Sequence, residues 1–394
     1  MNNSLSSTNL QEHRQKFLGL ANKTYFNFGG QGTMPDEALS AIIDTHKYIQ
    51  KIGPFSGEIN AWLTDLVKAL KSAIANELKT TPETVTITEN VTAGCNIALW
   101  GIEWQPGDRI LMSDCEHPGI IATVEEIARR FGVEVAVCPI MATLNDGNPV
   151  EIIQDNLTDN TRLVVLSHLL WNTGQVLPLK DIARSCHNYQ GKYKVRLMVD
   201  AAQSVGSLDL NLPDLEVDYY AFTGHKWLCG PAGVGGLYVS PEAFEELHPT
   251  FIGWRGVQMN QKGKPIAWTK DGTKYEVATS AYPEYEGLRN AISLHQSWGT
   301  SQERYQKICQ NSQYLWNRLQ EIDRLTCIKI SPPEAGLVSF TVEGTNHFKL
   351  VTDLEKQGFL LRTIADPDCI RACVHYFTLT EECDLLITTI KNLI

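Results

Sequence analysis

Short apolar runs alternate with longer stretches of helical period along this chain, and the alternation sets the expected elements. Runs at Thr84–Thr88, Leu163–Leu166, Val195–Val199 and Tyr219–Phe222 read as strands. Asp36–Lys51 and Ile59–Leu78 repeat their apolar positions with helical spacing after polar starts, and are expected to cover one face of a sheet. A short helix is expected over Gln11–Leu20, followed by a strand-like entry at Tyr25–Phe28 into the glycine-rich turn Gly29-Gly30-Gln31-Gly32. Further on, Leu288–Trp298, Glu303–Ile322 and His347–Gln357 read as helices and Gly336–Val342 as a strand. The pattern predicts a three-layer α/β large domain with a mainly parallel sheet over residues 25–270. A smaller α+β domain is expected over 271–394, with an N-terminal segment, 1–24, packing against it.

Composition narrows the function class. A chain of 394 residues with 43% hydrophobic and 20% charged positions has the make-up of a water-soluble globular protein with two cores, and disorder is expected only in the polar tail Met1–Thr8. The net charge of −11 comes with no basic run, so no nucleic acid and no anionic membrane is expected as a partner. No apolar stretch approaches the length of a membrane span and no leader pattern opens the chain, which makes the cytoplasm the expected compartment. Ten cysteines are spread along the chain without a C-x-x-C pair, so buried free thiols are expected, and no metal site.

The candidate chemistry centres on Asp200 and Lys226. Asp200 ends an apolar run and small residues follow it, which presents a carboxylate at the mouth of a buried strand. Lys226 sits just past a second apolar-to-polar transition, with Thr223 and His225 beside it and a glycine-rich turn, Gly230–Gly236, behind. Upstream, a strand feeds a helix that opens with Thr92-Ala93-Gly94. That junction suits a phosphate, and equally suits a plain strand–helix connection with Thr92 as the cap. Pyridoxal phosphate chemistry needs these parts together: an amine to form the Schiff base, and an acid to keep the pyridine nitrogen protonated so that the ring can drain electrons from a carbanion.

Two strings carry a resemblance. Val199-Asp200-Ala201-Ala202-Gln203, and Thr223-Gly224-His225-Lys226 followed by Gly230-Pro231-Ala232-Gly233-Val234-Gly235-Gly236-Leu237-Tyr238, are similar in content, order and spacing to those of the class V aminotransferase family, which includes the cysteine desulfurases. The resemblance spans about residues 24–390 and implies a fold-type I pyridoxal 5'-phosphate enzyme. It implies Lys226 as Schiff-base lysine and proton-moving base, Asp200 as partner of the pyridinium, His117 of the pair Glu116-His117 stacked on the ring, and Gln203 on the ring hydroxyl oxygen. The phosphate falls to Thr92, the Ala93 backbone, Thr223 and His225, and to Thr279 reaching across a homodimer. Alignment on Gly174 puts Trp171 where the family has an asparagine, and Asn172, one place late, is kept as the cofactor contact. Arg371 falls on the arginine that clamps the substrate carboxylate; Gly29, Gly30, Trp254 and Arg362 complete the expected substrate-binding set.

One departure bears on the reaction. Cysteine desulfurases carry their nucleophilic cysteine on a loop well before the clamp arginine, whereas Arg371 comes only nine positions after Arg362 here, with Cys369 close to the arginine. The loop looks deleted. Without a thiolate to attack substrate sulfur, the same carbanion can expel a β-leaving group, and the chain most resembles the cystine C–S lyase branch, giving pyruvate, ammonia and a persulfide, with a sulfur or iron–sulfur acceptor protein as a further partner. The other expectations kept open are a desulfurase using Cys369, an aminotransferase or epimerase of another amino acid, and a non-enzymatic cofactor-binding protein.

Overall fold

The computed structural model describes residues 7–394. Helix α1 (Ser7–Gln15) and a 3-10 turn at Leu18–Leu20 stand where one helix was expected. The expected polar tail lies outside the described residues except for Ser7 and Thr8, which open α1. Strand β1 (Thr24–Tyr25) is followed by α2 (Asp36–Ile52) and α3 (Gly57–Leu78). Acidic Asp36 and Glu37 sit in the first turn of α2, where the helix dipole favours them, and the Ser56 hydroxyl caps α3 by accepting the Ile59 N–H.

Seven strands then build one sheet: β2 (Val85–Thr88), β3 (Arg109–Ser113), β4 (Glu134–Cys138), β5 (Thr161–Ser167), β6 (Arg196–Asp200), β7 (Tyr219–Thr223) and β8 (Gly235–Val239). Their order is β2-β8-β7-β6-β5-β3-β4, parallel from β7 to β4, with β8 antiparallel to both of its neighbours. Helices α4 (Val91–Gly101), α5 (Pro118–Phe131), α6 (Pro149–Asn156), α7 (Leu179–Asn188) and α8 (Leu212–Leu215) lie between the strands, and α9 (Pro241–Phe244) follows the last of them. The central strands β5, β6 and β7 are almost wholly buried and mainly apolar because both faces are covered, whereas the edge strand β4 is partly exposed. Leu163, Val165, Met198, Tyr219 and Ala221 pack into one core, while Val164, Leu166, Leu197, Val199, Tyr220 and Phe222 point into the other. All strands but β8 therefore run to one edge, which carries Thr88, Ser113, Ser167, Asp200 and Thr223.

A short hairpin, β9 (Val257–Met259) and β10 (Pro265–Trp268), precedes α10 (Tyr282–Trp298). Because α10 packs on α2 and α3, the expected boundary at 270/271 falls inside the large unit, and the change of unit comes after Trp298. Beyond it come α11 (Ser301–Leu319), β11 (Leu325–Cys327), β12 (Leu337–Val342), α12 (His347–Lys356), β13 (Phe359–Leu360), β14 (Arg362–Ala365), β15 (Asp368–Cys373) and α13 (Thr380–Leu393). An antiparallel sheet, β11-β12-β15-β14, carries this smaller unit. The N-terminal segment is tied to it: β1 pairs with β13, and Arg14 bridges Glu382 at 2.8 Å.

Candidate active site

At the carboxyl edge of the large sheet lies a cavity of about 550 Å³. One wall is formed by the ends of β5 and β6 and the turn after β7, another by the starts of α4 and α5, and β14 and β15 of the smaller sheet face them. Asp200 ends β6 opposite Ser167 of β5 and Ala221 of β7, so the sheet register fixes where its carboxylate emerges. One oxygen accepts the Ala202 N–H at 2.9 Å. Burial raises the Asp200 carboxyl above the usual range, while the Ala202 N–H, Lys226 and His117 pull it back.

Lys226 lies in the turn after β7. Burial pushes its ammonium down to about 8; Asp200 opposes this, and Arg371 and Arg362 add to it. Thr223 and His225 bond each other, Oγ to Nδ1 at 2.7 Å, and of the two only His225 lines the cavity. Gln203 is held at both ends of its amide: Nε2 donates to the Gly29 carbonyl at 2.8 Å and Oε1 accepts the Trp227 indole N–H at 2.9 Å. A Cβ at Gly29 would crowd this wall, standing 2.9 Å from Gln203 Oε1, 3.0 Å from Cys373 Sγ and 3.1 Å from Arg371 Cζ. Gly30 lines the same wall.

The start of α4 corrects one detail. Asn90, not Thr92, is the cap, its side chain accepting the Ala93 N–H at 2.9 Å. That leaves the first-turn N–H groups of Val91 and Thr92 at the cavity, while Ala93 faces a second cavity on the other side of the helix. His117 caps α5, its Nδ1 accepting the Gly119 N–H at 3.2 Å, and this places the proton of the neutral ring on Nε2. Burial lowers its pKa, with Asp200 raising it and Lys226 lowering it.

Two contacts were not foreseen. Glu116, 3% exposed, accepts Ser113 Oγ at 2.5 Å and both the N–H and Oγ of Ser167 at 2.9 Å, and burial pushes its carboxyl up to about 7. Its place in the Glu116-His117 pair was the available signal. Trp171 lines the cavity instead of Asn172, as the alignment on Gly174 had suggested; the Asn172 amide donates to the Asp366 carbonyl at 3.2 Å, away from the site.

Arg362 and Arg371 stand directly opposite each other on β14 and β15, and both reach the cavity. Arg371 is 2% exposed, donates from Nη1 to the Trp171 carbonyl at 2.8 Å, and its buried Nε has no partner. The strands are joined by Asp366 and Pro367 alone. Cys369 is buried in the small sheet, burial pushes its thiol up to about 12, and it does not line the cavity. Two expected residues lie elsewhere in the chain: Thr279 lines the second cavity, of about 580 Å³, and Trp254 is 56% exposed on the surface.

These groups fit pyridoxal phosphate. Free N–H groups at a helix start suit a phosphate, a buried carboxylate with one uncommitted oxygen suits a pyridinium, and Lys226 supplies an amine that is easily deprotonated. Sheet topology and site together place the protein among the fold-type I enzymes that use pyridoxal phosphate. Aminotransferase class-V is the family that matches, over residues 30–383, and the chain belongs to it. A solved structure of the cystine C–S lyase C-DES with its reaction product cysteine persulfide is 54% identical, covering 95% of this chain and 98% of that one, with a TM-score of 0.93. A lysine-to-alanine variant of C-DES with glycine covalently linked to the PLP cofactor is 53% identical over 96% and 98% of the two chains, with a TM-score of 0.94. The cysteine desulfurase of Haloferax volcanii is 28% identical over 329 residues, which cover 78% of this chain and 74% of that protein.

Proposed function

We propose that the protein is a pyridoxal-phosphate-dependent carbon–sulfur lyase that cleaves L-cystine by β-elimination. The carrying observation is the β14–β15 hairpin: its two-residue turn leaves no room for a cysteine-bearing loop, no cysteine lines the cavity among the described residues, and two arginines fill that wall instead. The C–S lyase named among the similar structures supports the substrate.

Bound pyridoxal phosphate supplies the electron sink for a carbanion at the substrate α-carbon. The chain's own groups do the rest. Val91 and Thr92 N–H, with His225, would hold the phosphate; Asp200 would pair with the ring nitrogen; and His117 would border the ring. Thr223 braces His225. Lys226, its pKa near 8, exists partly as the free amine at neutral pH and takes the α-proton. Arg371 clamps the carboxylate of the reacting half of cystine, and Arg362, nearer the mouth, takes the carboxylate of the other half. The β-carbon–sulfur bond breaks with its electron pair leaving on sulfur, so the departing group is cysteine persulfide. The remaining three-carbon enamine takes up water to give pyruvate and ammonia.

The protein is read as a homodimer in which Thr279 reaches the partner's phosphate. Exposed Phe251, Ile252, Trp254 and Val277 close to Thr279 support such a face. No helix among the described residues is long and apolar enough to cross a membrane, and ten unpaired cysteines fit a reducing compartment such as the cytoplasm. A sulfur or iron–sulfur acceptor protein is the proposed recipient of the persulfide.

The test is direct. Purified protein with L-cystine yields pyruvate and sulfane sulfur in equal amounts, with much less from L-cysteine. No pyruvate from either sinks the elimination; alanine as the carbon product points to a desulfurase, and loss of chirality without pyruvate to an epimerase.

A further inference from the structure

Behind the cavity lies a cluster of imidazoles that the proposed reaction does not use. Every backbone carbonyl from Gly224 to Leu228, the turn that carries Lys226, is hydrogen-bonded. Three partners are backbone: Gly230 N–H on Gly224 at 2.9 Å, Gly32 N–H on His225 at 2.7 Å and Cys229 N–H on Lys226 at 3.0 Å. The last two are side chains from distant parts of the chain. His375 Nε2 meets the Trp227 carbonyl at 2.9 Å and His295 Nε2 meets the Leu228 carbonyl at 2.9 Å.

A carbonyl only accepts, so each imidazole carries its proton on Nε2. His295 Nδ1 must then accept, and it takes the Tyr376 hydroxyl at 2.8 Å; the Tyr376 oxygen in turn accepts from His13 Nε2 at 2.7 Å. One directed chain of hydrogen bonds thus runs from α1 through Tyr376 and His295 to the Leu228 carbonyl. His375 and His295 are 0% and 2% exposed and stack on each other at 5.5 Å. Burial pushes both well below the ordinary imidazole range, so their protonation does not change near neutrality. His375 also lies four residues past Arg371, two residues beyond the end of β15.

We infer that His375 and His295 are positioning residues that fix Lys226, and its distance from the Arg371 clamp, through the two carbonyls following the lysine. This rests on the reading of Lys226 as the cofactor-bearing lysine. Neither imidazole touches the cavity, and both act through the backbone.

The test uses the holoenzyme and its visible absorbance. His375→Leu keeps the volume and removes the donor; His375→Gln restores a donor at similar reach. The midpoint of the pH titration of the lysine–cofactor imine band is expected to move by about 0.5 pH unit or more in His375→Leu, with a changed visible circular dichroism, and to return towards wild type in His375→Gln. The groups facing Lys226, namely Asp200, His117, His225, Arg362, Arg371 and Cys373, are left intact, so the shift reports geometry. Where leucine does not fold, His375→Asn, whose amide falls short of the carbonyl, reads the same shift. A lower melting temperature with an unchanged imine midpoint and dichroism overturns the inference. If wild type shows no imine band, or Lys226→Ala retains it, the cofactor reading itself fails, and that outcome is distinct.

Discussion

Replacing Lys226 by methionine in the cofactor-free protein isolates what burial of that amine costs the fold. The folded-state value is about 8 against an ordinary 10.5, with burial the largest cause. Between these values the folded chain binds fewer protons than the unfolded one, so stability rises with pH across that window. The penalty is fully present below about pH 8 and is recovered as pH approaches 10.5. At about 1.4 kcal/mol per pH unit the gap amounts to a ceiling of about 3 kcal/mol at pH 7, falling below about 1 kcal/mol at pH 10. Lys226→Met keeps most of the side-chain volume and also deprives Asp200 of a favourable cation, which offsets part of the gain. Urea unfolding of the cofactor-free proteins is therefore expected to show the variant more stable than wild type by about 1–3 kcal/mol at pH 7, with the difference largely gone at pH 10. A gain of the same size at both pH values, or no gain at pH 7, refutes the burial argument.

Three other substitutions separate the roles assigned to the site. Arg362→Leu is expected to raise KM for cystine roughly three- to tenfold and leave cysteine nearly untouched, since an exposed charge pair is worth about 1 kcal/mol; equal losses on both substrates would mean that Arg362 does not hold the distal carboxylate. Cys369→Ala is expected to retain sulfane sulfur release, measured by cyanolysis, because the thiol is buried away from the cavity; abolished release would restore the desulfurase reading. Gly29→Ala is expected to cost about 1–3 kcal/mol in thermal unfolding and to raise KM, because its methyl meets Gln203, Cys373 and Arg371 at once; wild-type KM would show that the wall yields without disturbing the clamp.

Legibility in the sequence followed the range of the interactions. Asp200, Lys226 and the strands that carry them were readable because each strand is a short apolar run whose end coincides with a polar residue. The helix start at Thr92 was readable as a location but not in its cap, since Asn90 and Thr92 are both capping residue types and only geometry decides between them. The ungapped alignment on Gly174 points to Trp171, and only residue type favours Asn172; in the turn from Trp171 to Gly174 the Asn172 amide is instead spent on the Asp366 carbonyl and the Thr173 N–H. The boundary at 270/271 failed for a tertiary reason: α10 is a helix of the large unit only by virtue of packing on α2 and α3. The His375 and His295 contacts bridge 148 and 67 residues, and no local pattern announces them.

The arginine hairpin bears on substrate choice. Residues directly opposite in an antiparallel pair hold their Cβ atoms about 5 Å apart on one face, and like charges so placed destabilise the sheet. Arg362 and Arg371 are such a pair, and neither forms a salt bridge to a carboxylate among the described residues. With Lys226 they face a single acid, Asp200, which the pyridinium is proposed to occupy. A monocarboxylate relieves only one of the two guanidinium groups, and a cysteine-bearing loop would bring a thiolate to neither. A substrate with one carboxylate at its reacting end and another beyond a flexible disulfide neutralises both, so the cost that this hairpin imposes on the empty protein is the physical basis of the selectivity for cystine proposed above.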